Sequence, residues 1–308
     1  MRKIISIFLA VLLLAALSMT AFAESLTNLT LSLVDEGTPV PGVTFEIYRV
    51  GQYTADGGAQ LTGKFAHYPV TINRVSEDSS TEANALFAFA KKDALTPDGV
   101  ATTGSDGAAM VKELPEGVYL IGGLPCKFEG VVYHTEPQLL VLPHVDAGTE
   151  EVDLNPVLQV KFSRETASTI TRKVLKVWQD GSGNARPQYV VVYLLENGEV
   201  YDTVTLTAEN QWRNIWEDLD AASLWQIVEE VPEPYTVQVE LEGVTFLVKN
   251  TAPEIPPTES SEPTEPTEPG EDIPQTGMLW WPVVMLGGLG IAMVAGGVVL
   301  RKGSRDDA

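Results

Sequence analysis

Few side chains in this sequence carry the usual reactive groups, and their spacing excludes most familiar reactions. His67, His134 and His144 stand far apart, without the short intervals that would place two ligands on one metal ion. Cys126 is the single cysteine, so no intrachain disulfide can form and any covalent staple must use other side chains. The stretches "GSDG" and "TPDG" read as turns, because the full spacing of a calcium loop is missing. Carboxylates are too numerous for one acid pair to be singled out for glycoside hydrolysis. Neither a Gly-rich phosphate loop nor a nucleophile elbow occurs. No metal or cofactor is therefore expected, and the chain does not read as an enzyme. What stands out is a small polar pentapeptide, Ile273-Pro274-Gln275-Thr276-Gly277, set between an acidic Pro-rich run and a hydrophobic stretch.

The two ends of the chain explain where such a peptide would sit. Arg2 and Lys3 precede an apolar run from Ile4 to Leu17, and Ala21-Phe22-Ala23 has the small-x-small pattern of a signal-peptidase site. That run is shorter than the roughly 20 residues of a spanning helix, so a signal peptide cleaved after Ala23 is expected. No charged residue lies between Met278 and Leu300, a stretch long enough to cross a bilayer as a helix. Arg301, Lys302 and Arg305 follow at once and place the far end in the cytoplasm. Residues 252–272, "APEIPPTESSEPTEPTEPGED", hold almost nothing apolar. They read as an extended, self-repelling spacer with a reach on the order of 60 Å in the polyproline II conformation.

Charge limits the partners. Lys and Arg number 20 against 42 Asp and Glu, a formal net charge of −22. Five of the basic residues sit in the two terminal clusters just named, so the portion between them is more acidic still. Such a field repels phosphate backbones, excluding nucleic acid as a partner, and suits a soluble, self-repelling surface protein.

Between the ends the sequence is β-patterned. "LTLSLVDEG", "GVTFEIYRV", "GVYLIGG" and "QLLVLP" alternate or cluster β-forming residues between Gly-rich turns. One segment breaks the pattern. In Ser80 to Leu95, the residues Ala83, Leu86, Phe87 and Ala90 recur at helical spacing, which predicts one helix lying across a face of the first sandwich. From Ile170 to Thr251, strand-length runs recur at intervals of roughly 8 to 12 residues, joined by Asp-Gly, Asn-Gly and Glu-Gly turns. Trp178, Trp212, Trp216 and Trp225 suit the core of this second unit.

Three resemblances add to this reading. The order pentapeptide, apolar span, basic tail resembles the LPxTG cell-wall sorting signal of Gram-positive bacteria, with Ile273 in the place of leucine and Pro274, Gln275, Thr276 and Gly277 matching the rest. The resemblance implies that a sortase cysteine attacks the Thr276 carbonyl, that the chain is cut between Thr276 and Gly277, and that an amine of peptidoglycan or of another protein takes over the acyl group. The mature chain would run from Glu24 to Thr276.

The run "RKVLKVWQDGSGNARPQYVVVYLLENGE", with "WQIVEEVPEPYTV" and "FLVKNT", closely resembles the collagen-adhesin B-type (CnaB-like) domain. That family implies an intramolecular isopeptide bond between Lys176 and Asn250, assisted by Glu229. Strand alternation agrees, since Val174, Lys176 and Trp178 share one face, as do Val244, Phe246, Val248 and Asn250, while Glu230 should face solvent. Superposing the first unit on the second puts Ser32 at the lysine position and Gly122 at the glutamate position, which implies no such bond there.

"PVPGVTFEIYRVG", "LPEGVYLI" and "VKFSR" resemble the N-terminal domain of SpaA-type pilins. In that family a lysine ending a Tyr-Pro-Lys motif accepts the next subunit's threonine. The matching residue in "LNPVLQVKFSR" is Lys161, although Val160 replaces the proline and Leu154 the start of the motif. Lys161 is thus either an intersubunit acceptor or an ordinary exposed lysine.

The expected fold class is all-β: two tandem Ig-like, CnaB-type sandwiches, the first with a helical insertion, then a Pro-rich stalk and a C-terminal transmembrane helix. The expected segments are a signal peptide (1–23), a pilin-like domain (24–165), a CnaB-like domain (166–251), the linker (252–272), the sorting motif (273–277), the membrane helix (278–300) and a basic tail (301–308). Sortase and peptidoglycan are the implied partners, with other pilin subunits or host extracellular matrix beyond them. A label on the C-terminus should separate from the ectodomain in living cells, and the ectodomain should copurify with digested murein; a label that stays fused contradicts the sorting signal.

Overall fold

A computed structural model of the chain describes residues 26–76, 79–145, 151–180 and 186–253. The signal peptide with Ala23, most of the linker, the motif Ile273–Gly277 and the expected membrane helix lie outside the described residues. Among the described residues no helix is long and apolar enough to cross a membrane.

The first domain has two main sheets. Strand β1 (Thr27–Ser32) lies between β5 (Ala108–Leu114), antiparallel, and β10 (Val157–Gln159), parallel, with Leu31 opposite Ala109 and Leu158. Facing it, β2 (Thr44–Tyr53) pairs with β3 (Ala59–Leu61), β4 (Gly99–Thr102) and β6 (Gly117–Gly123), and β9 (Gln138–Leu142) extends the sheet beyond β6. A smaller sheet joins β7 (Cys126–Phe128), β8 (Val131–Thr135) and β11 (Phe162–Glu165). The core between the main sheets holds Leu29, Leu31, Leu33, Phe45, Ile47, Tyr119, Ile121 and Val160. Every residue of β6 is buried, because its opposite face is covered as well; a strand covered on both sides reads as a continuous apolar run rather than an alternation.

That cover is helix α1 (Ser80–Lys92). Its sequence STEANALFAFAKK is rich in Ala, with Glu82 in the first turn and Lys91 and Lys92 in the last, charges that complement the helix dipole. The burial is wider than one stripe, taking in Ala85, Ala88 and Phe89 besides the expected Ala83, Leu86, Phe87 and Ala90. The reason is that the second domain packs on the helix too. Asn84 Nδ2 donates to the Val239 carbonyl (3.1 Å), Gln238 Nε2 donates to Glu82 Oε1 (2.8 Å), and the Val237 amide donates to the Pro69 carbonyl (2.8 Å). One core cluster accordingly runs from Tyr48, Val118 and Leu120 through Leu86 and Phe87 to Ile227, Val237 and Val239. The helix is shared by both domains instead of belonging to the first alone.

In the second domain, one sheet has the order β15 (Arg213–Asp220), β12 (Thr169–Gln179), β18 (Thr245–Thr251), β17 (Thr236–Glu242). The other has the order β14 (Glu199–Thr207), β13 (Tyr189–Glu196), β16 (Trp225–Glu229). The domain's first and last strands, β12 and β18, are parallel neighbours in the middle of their sheet. Trp216 and Trp225 are buried, and Trp178 and Trp212 are half-buried at one end.

Gly122 marks how closely α1 lies on β6. A Cβ there would come within 2.4 Å of the ring of Phe87, a fully buried side chain of the shared core, so the ring would have to shift. Gly122→Ala should therefore destabilise the protein by about 1–3 kcal/mol in denaturant unfolding; an unchanged midpoint would mean that the helix does not sit this close.

Candidate isopeptide site

Register brings the three residues of the second domain together. Lys176 lies opposite Val248 and Trp178 opposite Asn250, so on these parallel strands Lys176 and Asn250 share the inward face two positions apart. Glu229, the last residue of β16, lies opposite Val192 on the facing sheet. Both the Lys176 and Glu229 side chains are fully buried, with Nζ 3.4 Å from Oε2. Asn250, also fully buried, donates from Nδ2 to Glu229 Oε1 at 2.6 Å. Among the described residues Lys176 is the one buried lysine and Glu229 the one buried glutamate. Glu230, next along, is exposed and accepts a hydrogen bond from the Tyr193 hydroxyl, as the alternation required.

The Lys176 amine also donates to the carbonyls of Val177 (3.1 Å) and Val248 (3.2 Å). Two backbone acceptors can hold the two hydrogens of a neutral amine, and the remaining position faces Glu229. Burial holds the lysine below its ordinary range and lifts the glutamate above its own; for each, loss of water outweighs the attraction between the two charges. The pair is thereby pushed toward its uncharged form, a nucleophilic amine beside a carboxylic acid. Glu229 Oε2 faces only the amine, and Asn250 Oδ1 has no hydrogen-bond partner, which leaves acceptor capacity at the place where a proton would have to move.

The first domain offers a different core. Ser32 and Gly122 are not its equivalents of Lys176 and Glu229, because both lie one residue out of phase. Ser32 is half-buried between the inward Leu31 and Leu33, and Gly122 faces the helix. The inward residues on these strands are Leu31, Ile121 and Val160, all apolar. Among its described residues this domain buries no lysine, glutamate or asparagine. Lys161 is exposed, between β10 and β11, and its carbonyl accepts the Glu136 amide. Val160 beside it is buried, and Leu154 is exposed. His67 lies against Tyr68, His134 lines the junction between the domains, and His144 sits in a two-residue ladder with Asp153. No metal-holding group of three His, Cys, Asp or Glu occurs among the described residues.

Sequence reasoning missed the residues that close the site. Trp178 was legible only as a core aromatic, and Asp180, Arg186 and Tyr235 carried no signal, since their contacts form only when a strand end, a turn and a distant loop meet.

Comparison with known proteins agrees with this architecture. Residues 172–251 match the family model of the Cna protein B-type domain, and residues 23–158 match that of the Gram-positive pilin subunit D1, N-terminal domain. The two matches fall on the first and the second sandwich in turn, and both are to domains of structural pilins and adhesins rather than of enzymes. It is 26% identical over 232 residues to a collagen adhesin of Staphylococcus aureus, an alignment that takes in 71% of this chain and 19% of that protein. The chain therefore spans about a fifth of that relative's length. Among solved structures, the minor pilin of Streptococcus agalactiae is 20% identical, with 76% of this chain and 99% of that one covered and a TM-score of 0.27. The shaft pilin spaA of Lactobacillus rhamnosus GG is 14% identical, with 75% of this chain and 100% of that one covered and a TM-score of 0.28.

The pair's titration can be isolated in Asn250→Ala, which has no carboxamide to attack. Adding Lys176→Met to it removes the amine beside Glu229 and should destabilise the domain wherever Glu229 is ionised, by up to about 3–5 kcal/mol. Because burial raises the Glu229 pKa, the protonated form is the one the fold favours. Stability of the double variant should recover as pH falls through that raised value and decline as pH rises through it; a flat profile in denaturant unfolding would show that Glu229 is not held in this way.

Proposed function

We propose that the chain is a sortase-processed, wall-anchored structural protein of a Gram-positive cell surface, serving as a pilus subunit, with its second domain locked by a Lys176–Asn250 isopeptide bond. The observation that carries the reading is the buried Lys176–Glu229–Asn250 group bridging the domain's first and last strands. The pilin D1 match and the order of spacer, IPQTG, apolar run and basic tail support the surface role.

The chemistry balances within the three side chains. Neutral Lys176 Nζ adds to the Asn250 Cγ while protonated Glu229 polarises the carboxamide. Glu229 then takes a proton from Nζ and delivers one to Nδ2. The Cγ–Nδ2 bond breaks, ammonia leaves, and an Nζ–Cγ amide remains, with Glu229 returned to its starting form. No cofactor takes part.

Outside the domain, the same reading has a sortase take the chain at Thr276, release Gly277 with the apolar run, and pass the acyl group to peptidoglycan or to Lys161 of the next subunit. A head-to-tail contact of that kind does not close on itself and yields a filament. A second reading is a monomeric wall-anchored adhesin for a host matrix protein or glycan, and the similarity to the collagen adhesin favours a matrix protein such as collagen.

Intact mass of the exported chain should fall short of the sequence mass by one ammonia, and Lys176→Ala, Glu229→Ala and Asn250→Ala should each restore the full mass. An unchanged parent mass rejects the bond. On cells, ladders that survive boiling in detergent and vanish with Lys161→Ala support the pilus subunit; a single band released by a muramidase supports the adhesin.

A further inference from the structure

The end of the second sandwich above Lys176 is closed by side chains that the three-residue chemistry does not use. The Trp178 indole lies over the amine, with Nζ 4.3 Å from the ring centroid. Trp212 and Tyr235 pack edge-on against the same indole, at centroid distances of 5.5 and 5.1 Å, and the Arg186 guanidinium sits 5.9 Å from it. The indole Nε1 is buried and has no hydrogen-bond partner, so the ring is held by its neighbours and not by its own polar atom. Two of those neighbours are tied to one carboxylate. Asp180, whose side chain is 2% exposed, accepts from Arg186 Nε (2.8 Å) and Nη2 (2.6 Å) and from the Tyr235 hydroxyl (3.2 Å).

We propose that Asp180, Arg186 and Tyr235 are positioning residues for amide formation, clamping the Trp178 indole as a lid that keeps water from the Lys176 amine. The inference rests on the reading of Lys176, Glu229 and Asn250 as a crosslinking site.

A tryptophan over a lysine has two opposed effects. The ring face attracts the ammonium, whereas exclusion of water favours the neutral amine. Loss of water is the larger influence on Lys176, so the net effect of the lid is to free the lone pair. The titratable groups facing the amine are Glu229 from the opposite sheet and Asp180 and Arg186 at the lid. Asp180 draws the amine toward its charged form and Arg186, paired with it, opposes that effect. The role given to Asp180 and Arg186 is to hold the indole in position. The arrangement also spaces the parts along the chain: Lys176, Trp178 and Asp180 lie at the strand period on one face of β12 and just beyond it, so one strand end carries the nucleophile, its lid and the anchor of the lid.

The test follows crosslinking in freshly synthesised exported chain, read as ammonia loss by intact mass against time across a pH series, for the parent, Arg186→Ala, Arg186→Lys and Tyr235→Phe. Each substitution is also placed in Asn250→Ala, where denaturant unfolding reports folding alone. A loosened lid rehydrates the amine and raises its pKa, so Arg186→Ala should slow crosslinking at neutral pH about tenfold and move the pH profile about one unit upward. Tyr235→Phe should move both the same way by less, and Arg186→Lys should recover part of the rate. Folded Arg186→Ala and Tyr235→Phe chains that keep the parent's rate and pH profile overturn the lid. If Arg186→Ala does not fold, Tyr235→Phe, which removes one hydroxyl, decides alone. A parent chain at full mass overturns the crosslink reading itself, a result distinct from a parent that crosslinks beside indifferent variants.

Discussion

An amine taken out of water into the middle of a β-sandwich has to be neutralised, paired or consumed, and much of the second domain is arranged around that demand at Lys176. An isolated buried ammonium would be unsustainable, and a buried ion pair gains little over apolar packing once desolvation is counted. Glu229 on the facing sheet and the carbonyls of Val177 and Val248 give the amine its partners, and Asn250 on the parallel neighbour is tied in turn to Glu229. Those partners come from β12, β16 and β18, so the site exists only when both sheets are assembled in register. A slip of one residue in β18 would turn Asn250 to the outer face and bring Lys249 or Thr251 into its place, leaving Glu229 and Lys176 without the carboxamide.

The two domains solve the problem of cohesion by different means. The first fills the space between its sheets with Leu29, Leu31, Leu33, Phe45, Ile47 and Ile121, and at the positions where the second places charge it has leucine, isoleucine and valine. It then adds α1, a surface the second domain also uses. Asn84, Gln238 and Pro69 make polar contacts around an apolar interface, so the junction between the domains is built like a core with a hydrogen-bonded rim.

Much of this was legible along the chain. Lys176 reads as inward because Val174 and Trp178 flank it at the strand period, and Glu229 and Glu230 are separated by the same parity. The strands and the helix follow from period and punctuation. The failures have physical causes. Ser32 and Gly122 came from superposing the first unit on the second by sequence pattern, and an offset of one residue in such a match throws a strand's side chains onto the opposite face. The second buried face of α1 was hard to read because two of its three residues, Ala85 and Ala88, satisfy either a solvent face or a close contact, leaving Phe89 as the one large side chain to mark it. Tyr235 meets Asp180 across 55 residues, a distance over which a sequence pattern carries nothing.

The parallel pairing of β12 with β18 has a mechanical side. Chain enters the second domain at one end of this pair and leaves at the other, so a pull on the two ends runs lengthwise along the strands. With Lys176 joined to Asn250, that load crosses at the junction and bypasses residues 177–249, which hang from it as slack that never tightens. In the first domain β1 and β10 are parallel in the same manner but meet only through hydrogen bonds and apolar contacts. Under tension one half of the molecule would behave as a fixed rod, and the other as the part that yields and recoils.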